Sequence, residues 1–259
     1  MKTNENEYRL NTPLRTDNEL NYVGNLTEAL KNSSFTETER AIHFSLYASR
    51  QRIAEFLCRY EMFKRIVNVH GSIIECGVSF GSGIMSFAHF SSILEPVNFT
   101  RKVIGFDTFE GFPTIADEDK EGSEFDFEKI KRKGGHCVNS YDELKQCRDL
   151  FDQNRSTGHI NKIELVKGDA IKTIPKYIDD NAHLVVALLY LDFDLYEPTR
   201  VAMKYFIPRM PKGSIIAFDE LNHPDWPGET LAVFEEIGIS NLRIERYEFD
   251  SIRSFAVME

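Results

Sequence analysis

The chain has too few cysteines, too little positive charge and too short apolar runs for several classes of protein. Its four cysteines, Cys58, Cys76, Cys137 and Cys147, lie far apart and form no Cys-x-x-Cys pair. Neither a disulfide framework nor a zinc site is expected, and Cys58 and Cys76 sit in apolar segments typical of reduced core thiols. Lys and Arg number 31 against 41 Asp and Glu, a formal charge of −10. Phosphate backbones draw their affinity from clustered basic side chains, so no nucleic-acid partner is expected. The one basic cluster, Lys129 to Lys133, follows and nearly cancels an acidic run from Asp117 to Glu128, which predicts a solvated loop over 114–136 that orders as a lid on ligand binding. No segment approaches the roughly 18 apolar residues of a membrane span. The stretch from Met1 to Leu20 is polar where a signal peptide is apolar. The expectation is a soluble, cytoplasmic protein without a membrane partner.

What the chain does have is 42% apolar and 12% aromatic content over 259 residues, enough for one large core. From about residue 70, β-branched runs alternate with helical patterns, the signature of βα units and a largely parallel sheet. Strands are predicted at 72–78, 102–108, 163–169, 184–192 and 213–219, with a terminal antiparallel pair at 243–249 and 253–259. Helices are predicted at 83–94, 140–153, 171–180, 197–207 and 228–237. The run 184–192 is apolar on both faces, as in the centre of a sheet. Residues 1–69 read as a helical extension, with one helical region over 36–67 opened by a Thr36-x-x-Glu39 capping box. Its apolar stripe, which includes Ile42, Leu46, Ile53 and Phe63, predicts a lid or an oligomerisation element, and a homo-oligomer is expected.

The segment from Ile73 to Gly83 ends a strand, makes a glycine-rich turn and opens a helix, where free N–H groups and bare backbone suit a ligand. Glu75 precedes the first glycine by two, unlike the GxGxxG of dinucleotide binders. The pattern resembles the first motif of class I S-adenosylmethionine-dependent methyltransferases. Asp107, at the carboxyl end of the next strand, is placed to hold a ribose diol. The other readings are a helix cap for Asp107 and a buried acid bonded to loop N–H groups for Glu75. Asp169 in Val166-Lys-Gly-Asp-Ala170 stands where such folds place a group near the adenine, and equally where a helix is capped. The cofactor set expected is therefore Glu75, Gly77, Val78, Ser79, Gly81, Ser82, Gly83, Asp107, Thr108, Phe109, Gly168, Asp169, Ala170 and Asp192.

Leu191-Asp-Phe-Asp-Leu-Tyr-Glu-Pro198 and Ile215-Ile-Ala-Phe-Asp-Glu220 each close an apolar strand with acids. Asp192 and Asp219 are expected to project from adjacent strand ends into one crevice, where unscreened carboxylates repel and a bridging cation relieves them. Oxygen donors of this kind suit magnesium or calcium. The metal-free alternative has each acid capping the helix that follows.

Together with Glu75-Cys-Gly-Val78, Gly81 and Asp107-Thr-Phe-Glu-Gly-Phe-Pro113, these motifs resemble the macrocin O-methyltransferase family over about 70–235. The resemblance implies a Rossmann-like α/β fold, the seven-stranded class I methyltransferase sheet with helices on both faces and its last strand antiparallel. It also implies S-adenosylmethionine as cofactor, a divalent metal held by Asp192, Asp219 and Glu220, and a sugar-type acceptor hydroxyl. The chain departs from the family in one ligand, since Glu220 stands where a second aspartate is usual. Removing the hydroxyl proton needs a base, for which His136, placed like the family's lid histidine, and His223 are the candidates. Asp192 is expected to take part in catalysis through the metal. Trp226 in Asp225-Trp-Pro-Gly228 is placed to stack on a sugar ring, or merely to form a turn. The rival readings are a phenolic or catechol acceptor, a nucleotide-binding oxidoreductase, and a non-catalytic module of the same fold.

Overall fold

The computed structural model describes residues 16–120 and 130–259. The middle of the expected lid, 121–129, lies outside the described residues. Contacts divide the chain into two compact units, 1–53 and 54–259. This boundary falls inside a helix that the sequence-based division at 69/70 assigns wholly to the extension.

In the first unit, α1 (Asp17–Lys31) and the short α2 (Glu37–Ile42) each open on a capping box, Thr16 with Glu19 and Thr36 with Glu39. Neither helix buries a residue. The predicted continuous helix over 36–67 is interrupted: α2 is followed by a 3-10 turn at Phe44–Leu46, and α3 starts at Arg50. Arg40 donates to the carbonyl of Leu30 at 2.8 Å, which ties the two short helices together.

In the second unit, α3 (Arg50–Ile66) leads into β1 (Ser72–Cys76), α4 (Ser82–Leu94) and β2 (Val103–Asp107). There follow α5 (Tyr141–Gln153), β3 (Ile163–Lys167), α6 (Ala170–Asp180), β4 (Val186–Leu191) and α7 (Tyr196–Phe206). The chain closes with β5 (Ile215–Phe218), α8 (Pro227–Glu236), β6 (Ile244–Glu245) and β7 (Ser254–Val257). The sheet has seven strands in the order β3-β2-β1-β4-β5-β7-β6. β7 runs antiparallel to β5 and to the two-residue β6, and the other pairs are parallel.

Strand residues alternate between two cores, as a period of two requires. Ile73, Leu188, Tyr190, Ile215 and Phe255 pack with α3 and α4 through Phe63, Ile66 and Phe87. Ile74, Phe106, Leu189, Ile216 and Ala256 pack with α6, α7 and α8 through Ile174, Phe206 and Val233. Every residue of β4 is buried, so the prediction of a central strand holds. Among the described residues, no helix is long and apolar enough to cross a membrane.

At the edge where the strands begin, Arg101 is only 3% exposed. Its guanidinium donates to the carbonyls of Ile66, Val69 and Gly71 at 3.1, 2.9 and 2.7 Å and pairs with Glu95 at 2.7 Å. It thus satisfies carbonyls released by the end of α3. Arg101→Met takes the cation from Glu95, which keeps only the neutral donors Ser91 Oγ and Asn98 Nδ2, and removes a buried donor from the carbonyls of Val69 and Gly71, an expected loss of about 3–5 kcal/mol. Thermal denaturation should show a fall on the order of 10 °C.

Candidate active site

The register brings four chain positions to one level. Cys76 pairs with Phe106 and with Leu191, and Leu191 pairs with Phe218. The next residues, Gly77, Asp107, Asp192 and Asp219, therefore stand side by side at the carboxyl ends of β1, β2, β4 and β5. The backbone links them across the sheet: Gly77 N–H donates to Phe106, Asp192 N–H to Cys76 and Asp219 N–H to Leu191, at 2.9, 2.8 and 3.1 Å. Ligands of open α/β sheets bind in the crevice above this level.

On the cofactor side, Asp107 accepts N–H groups from Val78 and Ser79 at 2.8 Å each and from Phe109 at 2.7 Å. In this structure the carboxylate shapes the glycine-rich turn and the turn after β2, and is no helix cap. Thr108 Oγ donates to the carbonyl of Gly111 at 2.7 Å, which braces the same turn. Glu75 is buried, its carboxyl pushed up to about 8 by burial against the pull of Arg59, and Ile84 N–H donates to it. The donor belongs to the first turn of α4, so the acid is bonded to a helix N–H group where the second reading of Glu75 expected loop N–H groups. Gly77 and Gly83 are required by protein packing. A Cβ on Gly77 meets the carbonyl oxygen of Asp192 at 1.9 Å, and one on Gly83 meets Glu75 Oε1 at 1.7 Å. Gly81 caps α4, and Ser82, the first residue of α4, is exposed. Asp169 caps α6 by accepting Ile171 N–H at 3.1 Å, with Gly168 before it and Ala170 opening the helix.

On the acceptor side, Asp192 and Asp194 are half-buried and Asp219 is 6% exposed. Burial and the neighbouring Asp219 and Asp194 hold the Asp192 carboxyl well above the usual carboxylate range. Burial raises Asp194 to about 6, against the pull of His136. Burial, Asp194 and Asp219 raise Glu220 to about 9. Glu220 Oε2 is buried without a hydrogen-bond partner among the described residues. Glu229, at the start of α8, is buried just behind and accepts Glu220 N–H at 3.0 Å.

These acids fit a hard divalent cation in their chemistry: all are oxygen donors crowded together, and two buried oxygens, Glu220 Oε2 and Glu229 Oε2, lack a hydrogen-bond partner among the described residues. Among the described residues, however, no three acid, His or Cys side chains converge ready to chelate one. Asp219 Oδ1 already accepts from Tyr190 Oη and from Arg253 Nε, at 2.7 Å in both cases.

The two histidines differ. His136 is exposed, on left-handed backbone (φ 50°), and stacks on Phe112 with centroids 5.8 Å apart. Phe112 also meets Trp226 edge-on at 6.1 Å, so aromatic faces gather on this side. His223 is taken up in a turn, its Nδ1 accepting Asp225 N–H at 3.2 Å. Asp194 and Glu229 were not assigned roles from the sequence. The Asp-x-Asp after an apolar strand was the available signal for Asp194, but its left-handed backbone (φ 61°) was not legible.

A sheet of this order with glycine-turn and acidic strand ends defines a class I, S-adenosylmethionine-dependent methyltransferase. Residues 48–236 match the family model described as macrocin-O-methyltransferase (TylF), and the chain belongs to that family of O-methyltransferases. It is similar to a crystal structure of CalS11, calicheamicin methyltransferase, with 32% identity over 94% of this chain and 93% of that one and a TM-score of 0.88. The apo structure of CalS11, a TDP-rhamnose 3'-O-methyltransferase, gives 30% identity over 94% and 95%, with a TM-score of 0.80. The O-methyltransferase NovP shares the fold, at 20% identity over 80% of each chain and a TM-score of 0.59. No curated protein sequence matches the chain.

Proposed function

We propose that this enzyme methylates a hydroxyl of a sugar or glycosylated small molecule, with a divalent cation at Asp192, Asp219 and Glu220 and with Asp194 as the base. The observation that carries the reading is the placement of Asp194. It follows the acidic end of β4 on left-handed backbone, its carboxyl is raised by burial, and His136 bears on it electrostatically from the loop opposite. S-adenosylmethionine supplies a methyl group on a sulfonium, and a hard cation, when bound, acidifies a hydroxyl it touches. Asp194 then needs only to accept the hydroxyl proton as the oxygen attacks, and a base of middling pKa suits that task near neutral pH. His136, when protonated, stabilises the ionised form of Asp194. Phe112 and Trp226 offer flat faces to a ring. That CalS11 is a TDP-rhamnose 3'-O-methyltransferase supports a sugar acceptor here.

The test is transfer of labelled methyl from S-adenosylmethionine to a panel of nucleotide-activated deoxysugars, set beside catechol. Methylated nucleotide sugar is expected, with catechol inert. EDTA should lower the rate by roughly ten-fold or more, with magnesium restoring it and S-adenosylhomocysteine affinity unchanged. Turnover of catechol alone would overturn the acceptor class, and full activity in EDTA would remove the cation.

A further inference from the structure

Beneath the site, the side chain of Arg253, which directly precedes β7, is 12% exposed and meets three carboxylates. Its Nε lies 2.7 Å from Asp219 Oδ1, one terminal nitrogen lies 3.3 Å from Glu55 Oε1 of α3 and 3.4 Å from Asp219 Oδ2, and the other lies 3.1 Å from Asp250 Oδ2. The same Nε is 3.1 Å from Tyr190 Oη, which itself donates to Asp219 Oδ1. Arg59 extends the group, 3.9 Å from Glu55 and with its guanidinium 5.3 Å from the Tyr190 ring centroid. A guanidinium held on several sides by acids is locked in place, and so is the carboxylate that it grips.

We propose that Arg253 is a positioning residue for methyl transfer: it fixes Asp219 through both carboxylate oxygens, tightly at Oδ1 and more loosely at Oδ2, and takes up part of its charge, so that Asp219 enters the cation site as a weak donor. The proposal rests on the cation reading above. The physical consequence is a trade. A carboxylate already bound to arginine attracts a cation less, and a cation held by less negative charge keeps more of its own for the acceptor oxygen. Arginine also forbids the rotation by which Asp219 would turn away from β4. Lysine, with a point charge in place of a fork, cannot span Asp219, Glu55 and Asp250 together.

The experiment compares wild type, Arg253→Met and Arg253→Lys, each with S-adenosylhomocysteine bound, by calorimetric titration with Mn²⁺ and by kcat with added Mg²⁺. In Arg253→Met, Mn²⁺ should bind roughly three- to ten-fold more tightly while kcat falls about ten- to hundred-fold. S-adenosylhomocysteine affinity should stay within about two-fold of wild type, because Arg253 touches none of the cofactor turn. In Arg253→Lys, Mn²⁺ affinity should match wild type while kcat still falls. Loss of a positive charge by itself tightens cation binding, so the discriminating arm is Arg253→Lys, which keeps the charge: lowered kcat at unchanged Mn²⁺ affinity supports positioning, and unchanged or weaker Mn²⁺ binding in Arg253→Met sinks the proposal. Should Arg253→Met fail to fold, a wild-type kcat in Arg253→Lys does the same. Wild type that binds no Mn²⁺ overturns the cation reading itself, a result distinct from both.

Discussion

Replacing Asp194 with asparagine is expected to cut kcat by roughly 10²- to 10⁴-fold, the contribution of a well-placed general base. Asparagine keeps the shape of the side chain and can still accept a hydrogen bond at one atom, but it cannot take a proton. The folded state should survive, because among the described residues the carboxylate makes no hydrogen bond on which the β4–α7 turn depends; α7 is held from elsewhere, with Asp119 accepting Tyr196 N–H at 2.8 Å. The wild-type rate is expected to show an acidic limb for the same reason. Burial raises the Asp194 carboxyl to about 6 and His136 pulls against that rise. The base is therefore ionised above this value and lost as pH falls through it. A bound cation shifts the limb lower still, since positive charge favours the carboxylate. In Asp194→Asn the limb should vanish along with most of the rate, whereas His136→Ala should keep a limb displaced upward. A kcat within two-fold of wild type in folded Asp194→Asn returns the role of base to His136.

The parts of this protein that were legible in the sequence are those in which one residue pattern has one physical solution. The run Val186 to Leu191 is apolar on both faces, and only a strand between two helical layers buries it whole. Acids that close such strands must sit at the carboxyl ends, so the meeting of Asp107, Asp192 and Asp219 at one level followed from strand order. What escaped lacks such a pattern. α1 buries nothing, so it leaves no apolar stripe to read, and only its capping box marks it. The break between α2 and α3 lies in a segment of sufficient helical propensity, decided by local turn geometry at His43 and Tyr47. β6 shrinks to two residues because only Ile244 and Glu245 find a partner in β7. Arg253 and Asp219 are far apart in sequence, and nothing at either position announces the other. At the glycines the sequence did not announce the protein contact: Gly83 is bare to admit Glu75.

The largest structural effect is expected from Gly77→Ala, because one methyl group there acts on both cofactor and acceptor sides. The backbone at Gly77 is left-handed, with φ 92°, where an L side chain is strained by about 1–3 kcal/mol. A Cβ at this position lies 1.9 Å from the carbonyl oxygen of Asp192 and 2.7 Å from its carbon. Both are backbone atoms, so no side chain can swing aside, and β1 and β4 must separate where Asp192 N–H donates to Cys76 at 2.8 Å. Overpacking adds about 1–3 kcal/mol to the strain, for a total on the order of 2–6 kcal/mol. Melting should fall by roughly 5–20 °C for a domain of this size. Whatever folds should be damaged twice, since the same shift moves the Asp107-bound turn and the carboxylate of Asp192. The proper control is Gly134→Ala, which is also left-handed (φ 75°) but has no atom within 4 Å of the added carbon. It isolates the backbone strain from the collision. Calorimetric melting of both variants, with S-adenosylhomocysteine affinity measured below the transition, checks the argument. Equal losses in the two variants would show that strain alone matters, and that β1 and β4 are not held at their spacing by the bare backbone of Gly77.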